Sequence, residues 1–350
     1  MSWSSVRLAT PATIVAITAA LALSACGGDD DSGGGGDGSS ASSGNGGKNL
    51  GLAMDVLRND KSFGQATYIG ATKAAKDMGL KLTVVDNLGQ NAQKAQTALQ
   101  NLVRDNDFII NGANALTSST QRLAQQNPDK KFSVYAVAVE GGPNLQYAYQ
   151  DWYPLAYLAG VVAGMTTKSN VVGFVGGGEI PPTIAGEQAY KTAVKATNPK
   201  AKVLSTITGD FSDPAKGKNA TAAQIAQGAD VVYSFLDAAH AGAVAAAKEK
   251  GGVKLISVVL PKCEGAEGIE LGDTISDQSQ LVYNLVQRMV DDKLENTVYG
   301  IQDPKVATLA LCPGEDSPEL TKAIEDTRQK FVDGTLETPP DLLKAQSSEG

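Results

Sequence analysis

Three cysteines and one histidine are the side chains of this 350-residue chain best suited to metal binding or nucleophilic chemistry. Cys26, His240, Cys263 and Cys312 are scattered, and no paired-cysteine or paired-histidine spacing of a metal site occurs, which excludes a His/Cys metal centre. Covalent catalysis needs a nucleophile beside a base, and metal-assisted hydrolysis needs a carboxylate cluster around an ion. Neither pattern is legible, so the sequence predicts a protein that is not an enzyme and needs no cofactor. Two kinds of cysteine chemistry remain, one at Cys26 and one for the pair Cys263 and Cys312.

Cys26 closes a segment with the marks of an export signal. Arg7 is its only cation, and Pro11–Leu23 is an apolar run, shorter than the ~20 residues of a membrane span. Small residues follow, and Leu23-Ser24-Ala25-Cys26 resembles the bacterial lipobox. That resemblance implies a signal peptide over residues 1–25, cleaved before a cysteine whose thiol is diacylated. Residues 27–48 are almost wholly Gly, Ser and Asp. Such a composition cannot offset the entropy of ordering, so residues 26–48 are expected to be a disordered tether, about 25 Å in r.m.s. span. The expected location is the extracytoplasmic face of a membrane, through a lipid anchor. In an exported chain the even pair Cys263 and Cys312 predicts a disulfide.

The rest of the chain must supply the working domain. Acidic residues outnumber basic ones, 38 to 30, with no basic stripe, which argues against a nucleic-acid partner. Roughly 300 residues exceed most single cores and predict two lobes. Short Val/Ile/Leu runs alternate with Ala-rich helical stretches: strands over Leu50–Met54, Leu82–Val85, Phe108–Ile110 and Phe132–Val137, with helices over Gly64–Met78, Ala92–Arg104 and Ser118–Gln126. After Trp152 the alternation restarts, with helices over Tyr153–Met165, Thr183–Thr197, Ala220–Gln227 and Ala241–Lys250. Strands over Val171–Val175, Lys202–Ile207, Val231–Phe235 and Val253–Val258 lie between them. A helix over Ser279–Lys293, a strand over Ala307–Ala310, a helix over Pro318–Val332 and a frayed end from Pro339 complete the expectation. This pattern predicts an α/β protein of two doubly wound, Rossmann-like lobes. Ligands of such sheets bind at the carboxyl ends of the strands, so two lobes facing there make a cleft. The Gly-rich "GFVGGGEI" lacks the spacing of a phosphate cradle and reads as a tight strand-to-helix turn lining that cleft.

Several stretches together resemble one family. "DKSFGQATYIGA" (Asp60–Ala71), "PLAYLAGVVAGMTTKSNVVGFVGGGEIP" (Pro154–Pro181), "TGDFSDPAKG" (Thr208–Gly217), "GADVVY" (Gly228–Tyr233) and "FVDGTLETPP" (Phe331–Pro340) follow one another as in the basic membrane protein family. These are substrate-binding lipoproteins of ABC transporters, related to purine nucleoside receptors. The resemblance implies a type I periplasmic-binding-protein fold and a small ligand in an interlobe cleft. It also implies ABC permease subunits as partners, and a monomer is expected. Lobe 1 would comprise residues 49–151 plus about 273–296, and lobe 2 residues 152–272 plus about 297–340. A ligand sensor on the same fold is the alternative, which the sequence does not separate from transport; a nucleoside-processing α/β enzyme is a second alternative, disfavoured by the missing nucleophile–base pair and carboxylate cluster.

The family's aromatic clamp falls on Phe63 and Phe211, two rings suited to a planar ligand. Asp55, at the end of the first strand, and Gly64 and Gln65, beside Phe63, join them as expected ligand-binding residues. The family's polar set is altered. Gly64 stands where Asn is usual, Ala136 where a carboxylate is usual, and Val259 where an aspartate reads ribose; the hinge lysine falls near Asp277 or Gln278. "FLDAAHAG" (Phe235–Gly242) replaces a glycine-rich loop and brings Asp237 and His240 as further expected contacts, with Lys262 nearby. The expected ligand is therefore a flat, heteroaromatic, nucleoside-like molecule, with ordinary purine nucleosides held weakly.

Overall fold

The computed structural model describes residues 47–89 and 92–345. Cys26, the signal peptide and nearly all of the tether lie outside the described residues. No helix among the described residues is long and apolar enough to cross a membrane. The described residues cluster as one compact unit.

In chain order the elements are β1 (Asn49–Met54), α1 (Phe63–Asp77), β2 (Lys81–Val85), α2 (Ala92–Asp105), β3 (Phe108–Gly112), α3 (Thr117–Gln126), β4 (Lys131–Tyr135), β5 (Leu145–Gln150) and α4 (Trp152–Thr166). There follow β6 (Val171–Gly176), α5 (Pro181–Thr197), β7 (Lys202–Ile207), α6 (Pro214–Ala226), β8 (Val231–Phe235), α7 (His240–Lys250), β9 (Lys254–Val259) and β10 (Glu270–Ser276). The last are α8 (Gln278–Val290), β11 (Thr297–Tyr299), β12 (Ala307–Leu311), α9 (Pro318–Val332) and α10 (Pro340–Ala345). They build two six-stranded sheets, ordered β11-β5-β4-β3-β1-β2 and β12-β10-β9-β8-β6-β7. All pairings are parallel except β10 with β12. Helices cover both faces, as parallel sheets require. Helix α4 is apolar on nearly every side because it is enclosed by its own lobe: Leu155, Leu158 and Val162 join the core with Phe174, Tyr190 and Tyr233.

The chain passes between the sheets three times, from β5 into α4, from β10 into α8, and from β11 into β12. The buried amide of Gln150 ties the three passages together. Its Nε2 donates to Tyr299 O at 2.9 Å and its Oε1 accepts from Ser276 Oγ at 3.0 Å. Asp277 caps α8 by accepting the Gln280 N–H, so neither it nor Gln278 brings a cation to the cleft.

Four differences from the sequence reading have physical causes. Strands β5 and β10 were not expected, because buried polar residues interrupt them: Gln146, Gln150, Glu270, Asp273, Thr274 and Ser276 are all enclosed and mostly bonded to other protein groups. Helix α6 starts at Pro214 rather than Ala220, because Asp213 caps it and Pro214 fits the first turn. Strand β4 stops at Tyr135, since Ala136 takes φ +96°. Pro340–Ala345, expected to fray, is helical and anchored by buried Leu342; residues 346–350 lie outside the described residues.

Candidate functional site

The carboxyl ends of both sheets meet at a small central cavity of about 70 Å³. The first sheet contributes Asp55 and Val56 after β1, Phe63 at the start of α1, Gly112 ending β3 and Ala136 after β4. The second contributes Phe211 from the β7–α6 loop, Phe235, Leu236 and Asp237 from β8 and its following loop, and Val258 and Val259 from β9. Trp152, at the first passage, closes one side. Larger cavities of about 560 and 590 Å³ flank it, one beside Asp237 and one beside Asp55.

Each expected clamp ring is backed by protein. Phe63 lies parallel to Tyr135, with centroids 5.1 Å apart and planes 7° apart. Phe211 rests on Gly177 and Gly178: a Cβ on either would stand 2.1 or 2.9 Å from its ring atoms. The Gly-rich turn after β6 is thus a bed for an aromatic ring, and only glycine leaves room for it. The Phe211 carbonyl accepts the N–H groups of Asp237 and Ala239 at 3.1 and 3.0 Å, which joins the loops after β7 and β8.

The first turn of α1 receives carboxylates from both lobes. Asp60 accepts the N–H groups of Ser62, Gly64 and Gln65 at 2.8–3.0 Å. The remaining N–H, that of Phe63, donates to Asp237 Oδ1 at 3.3 Å, across the cleft. These are donors a helix start leaves unsatisfied. Burial and the nearby Asp60 push the Asp237 carboxyl up to about 7. Burial also raises Asp60, with its three backbone donors opposing. Lys262 is lowered by burial, opposed by Asp273, Asp237, Glu270 and Asp60; its Nζ donates to Val258 O and Leu260 O.

Of the residues expected at the site, the structure brings Asp55, Phe63, Phe211 and Asp237 to the central cavity. Gln65 and His240 line only the flanking cavity. His240 is buried, with Nδ1 2.9 Å from Ser234 Oγ and Nε2 2.7 Å from Glu270 Oε1, so its ring is packed inside the second lobe. Gly64 does not reach the central cavity: its N–H is held by Asp60, and a Cβ there would stand 2.2 Å from Leu57 O. Tyr135, Trp152 and Asp60 were missed. Asp60 had a signal, since it opens the quoted "DKSFGQ"; Trp152 marked only the restart of the alternation, and Tyr135 lay inside an expected strand. Ala136 and Val259 end equivalent strands of the two lobes, both line the cavity, and both hold positive φ, +96° and +71°. Such a conformation on a residue other than glycine costs about 1–3 kcal/mol and gathers at functional sites.

Cys263 and Cys312 form the expected disulfide, with Cα atoms 5.4 Å apart. It pins the loop after β9 to the end of β12. Next to it, Lys262 N–H donates to Asp273 at 3.0 Å. Among the described residues the one grouping with metal-ligand proximity is Cys263, Asp273 and Cys312, and its two sulfurs are joined to each other.

Two parallel α/β sheets, three crossings and a cleft at the strand ends define a two-lobed periplasmic binding protein. A solute-binding protein of an Aeropyrum pernix ABC transporter shares this fold, with a TM-score of 0.74, 19% identity, and cover of 85% of this chain and 98% of that one. Residues 48–335 match the family described as "ABC transporter substrate-binding protein PnrA-like". The chain belongs to that family, whose role is substrate binding rather than catalysis. It is similar to the ABC transporter nucleoside-binding protein BmpA of Lactococcus lactis, at 26% identity over 300 residues, covering 80% of this chain and 86% of the relative. It is also similar to a purine-binding protein of Brucella abortus, at 22% identity over 271 residues, covering 76% and 75%.

Proposed function

We propose that this protein is a lipid-anchored monomeric receptor of an ABC importer that captures a flat heteroaromatic compound between Phe63 and Phe211 and delivers it to permease subunits. The observation that carries the reading is the pair of rings, one from each lobe, lining one narrow cavity with protein behind each. Rings on both walls give a planar ligand more contact when the lobes close than when they part, which is what ligand-driven closure requires. The relatives named for nucleosides and for purines support a base-like ligand. Ala136 and Val259, where the family resemblance would put carboxylates, offer no side-chain partner to sugar hydroxyls, and each unmade buried bond costs about 1–3 kcal/mol, so ordinary nucleosides are expected to bind weakly. The Leu-Ser-Ala-Cys junction supports acylation of Cys26, and Cys26→Ser would then leave the protein in the aqueous phase or uncleaved.

Mass spectrometry of compounds released from the purified protein tests the ligand class. An aromatic heterocycle is expected. A free sugar or an aliphatic amino acid would overturn the reading.

A further inference from the structure

The side chains around the central cavity are uneven in charge. The ionisable ones are Asp55 and Asp237, with no lysine, arginine or histidine among the lining residues. The flanking cavity beside Asp55 adds Glu179, Asp210 and Asp213 and again no cation. The flanking cavity beside Asp237 is lined by Lys61, His240 and Lys262; the Lys262 ammonium is turned onto the Val258 and Leu260 carbonyls, and His240 is buried against Ser234 and Glu270.

Asp237 is the carboxylate best placed to act on a bound ring. It is 8% exposed. Its N–H is bonded to the Phe211 carbonyl, and its Oδ1 accepts the Phe63 N–H. The residue is therefore tied to the backbone of both ring-bearing residues, in the cavity that all three line. The 3.3 Å bond from Phe63 is long, and a carboxylate has acceptor sites for further donors. Above about pH 7, where the raised Asp237 carboxyl is ionised, a ligand N–H placed there makes a charge-assisted hydrogen bond, about twice as strong as a neutral one. An anionic substituent would meet like charge in a poorly solvated space, with no cation to pair it.

Resting on the ring-capture reading above, we infer that the cleft selects flat rings with an amino or amidine N–H edge, neutral or cationic, and rejects rings bearing an anionic group, and that Asp237 makes this selection. Asp237 lies in the loop where the chain departs from the family pattern, so the selection belongs to this chain.

Three probes of one shape but different edge chemistry test it: purine, adenine and purine-6-carboxylate. Each is titrated calorimetrically at pH 8, where Asp237 is ionised, into the mature protein stripped of bound compounds. Adenine should bind about tenfold or more tighter than purine, and the carboxylate should not bind. Asp237→Asn keeps an acceptor for the Phe63 N–H and removes the charge. It should shrink the adenine-to-purine ratio toward one and admit the carboxylate; Asp237→Ala should do the same. A merely structural Asp237 would weaken adenine and purine equally and leave their ratio intact, which would overturn the inference. So would equal affinities of all three probes for the unmutated protein. If neither purine nor adenine binds, the ring-capture reading itself fails.

Discussion

The two ring-bearing walls of the cleft are built differently. Phe63 sits at a helix start held by carboxylates from both lobes, with Tyr135 behind it. Phe211 sits in a loop on a bed of glycine backbone, tied by main-chain bonds. The wall of the first lobe thus depends on charge and on the opposite lobe. That of the second depends on close packing, with the neighbouring β9 loop held by a disulfide. Changes in protonation should act on the Phe63 side, and changes in side-chain volume on the Phe211 side.

The largest expected effect is on the covalently pinned lobe. The disulfide closes a loop spanning 49 positions, so replacing both cysteines by alanine should cost about 4 kcal/mol by the chain-entropy argument. Chemical denaturation with and without reductant measures it. An unchanged midpoint would mean that the second wall needs no staple.

Gly177→Ala breaks the second wall at its bed. The new methyl would stand 2.1 Å from the Phe211 ring, and the ring must leave its place. Affinity for the released natural compound should fall by about tenfold or more, a loss near 1.4 kcal/mol, while the fold survives. Affinity within twofold of the unmutated protein would show that the ring position does not matter.

Asp237 gives the first wall a pH dependence. Its carboxyl is raised from 3.8 to about 7 in the folded protein, so the folded state holds a proton that the unfolded chain releases. The stability it contributes is full below about pH 4 and is lost as pH rises to about 7. Burial drives the change, the Asp60 charge adds to it, and Lys262 opposes it. Asp237→Asn should flatten this part of the stability profile and leave the protein more stable than its parent at pH 8. A parent profile unaltered by the substitution would contradict the raised value.

The smallest effect is expected at Tyr135→Phe. The stack on Phe63 needs the ring, and loss of the hydroxyl should shift affinity by less than about 0.5 kcal/mol. A tenfold loss would mean that the hydroxyl, not the ring, supports Phe63.

The legibility of the sequence follows the same division. Apolar strands such as Val231–Phe235 and the helix Pro318–Val332 show through their own patterns. Phe63 and Phe211 show through motifs that keep them in order. Strands β5 and β10 do not, because their buried Gln, Asp and Thr residues make sense only against partners far along the chain, such as Ser276 with Gln150. His240 misleads for the same reason. Its partner Glu270 lies 30 positions away in sequence but 2.7 Å away in space, and a pairing of that kind leaves no local mark. Asp237 shows as a new polar group, while its bond to Phe63, 174 positions distant, appears only once the lobes are folded together.

The central claim is that Phe63 and Phe211 hold the same plane. A double-mutant cycle on the released natural compound tests it most directly, with Phe63→Ala, Phe211→Ala and the double variant titrated calorimetrically. Rings that grip one ligand from two lobes are coupled, so the double variant should lose less affinity than the sum of the single losses, by about 1 kcal/mol or more. Strict additivity, or a single variant that binds like the unmutated protein, would contradict the account.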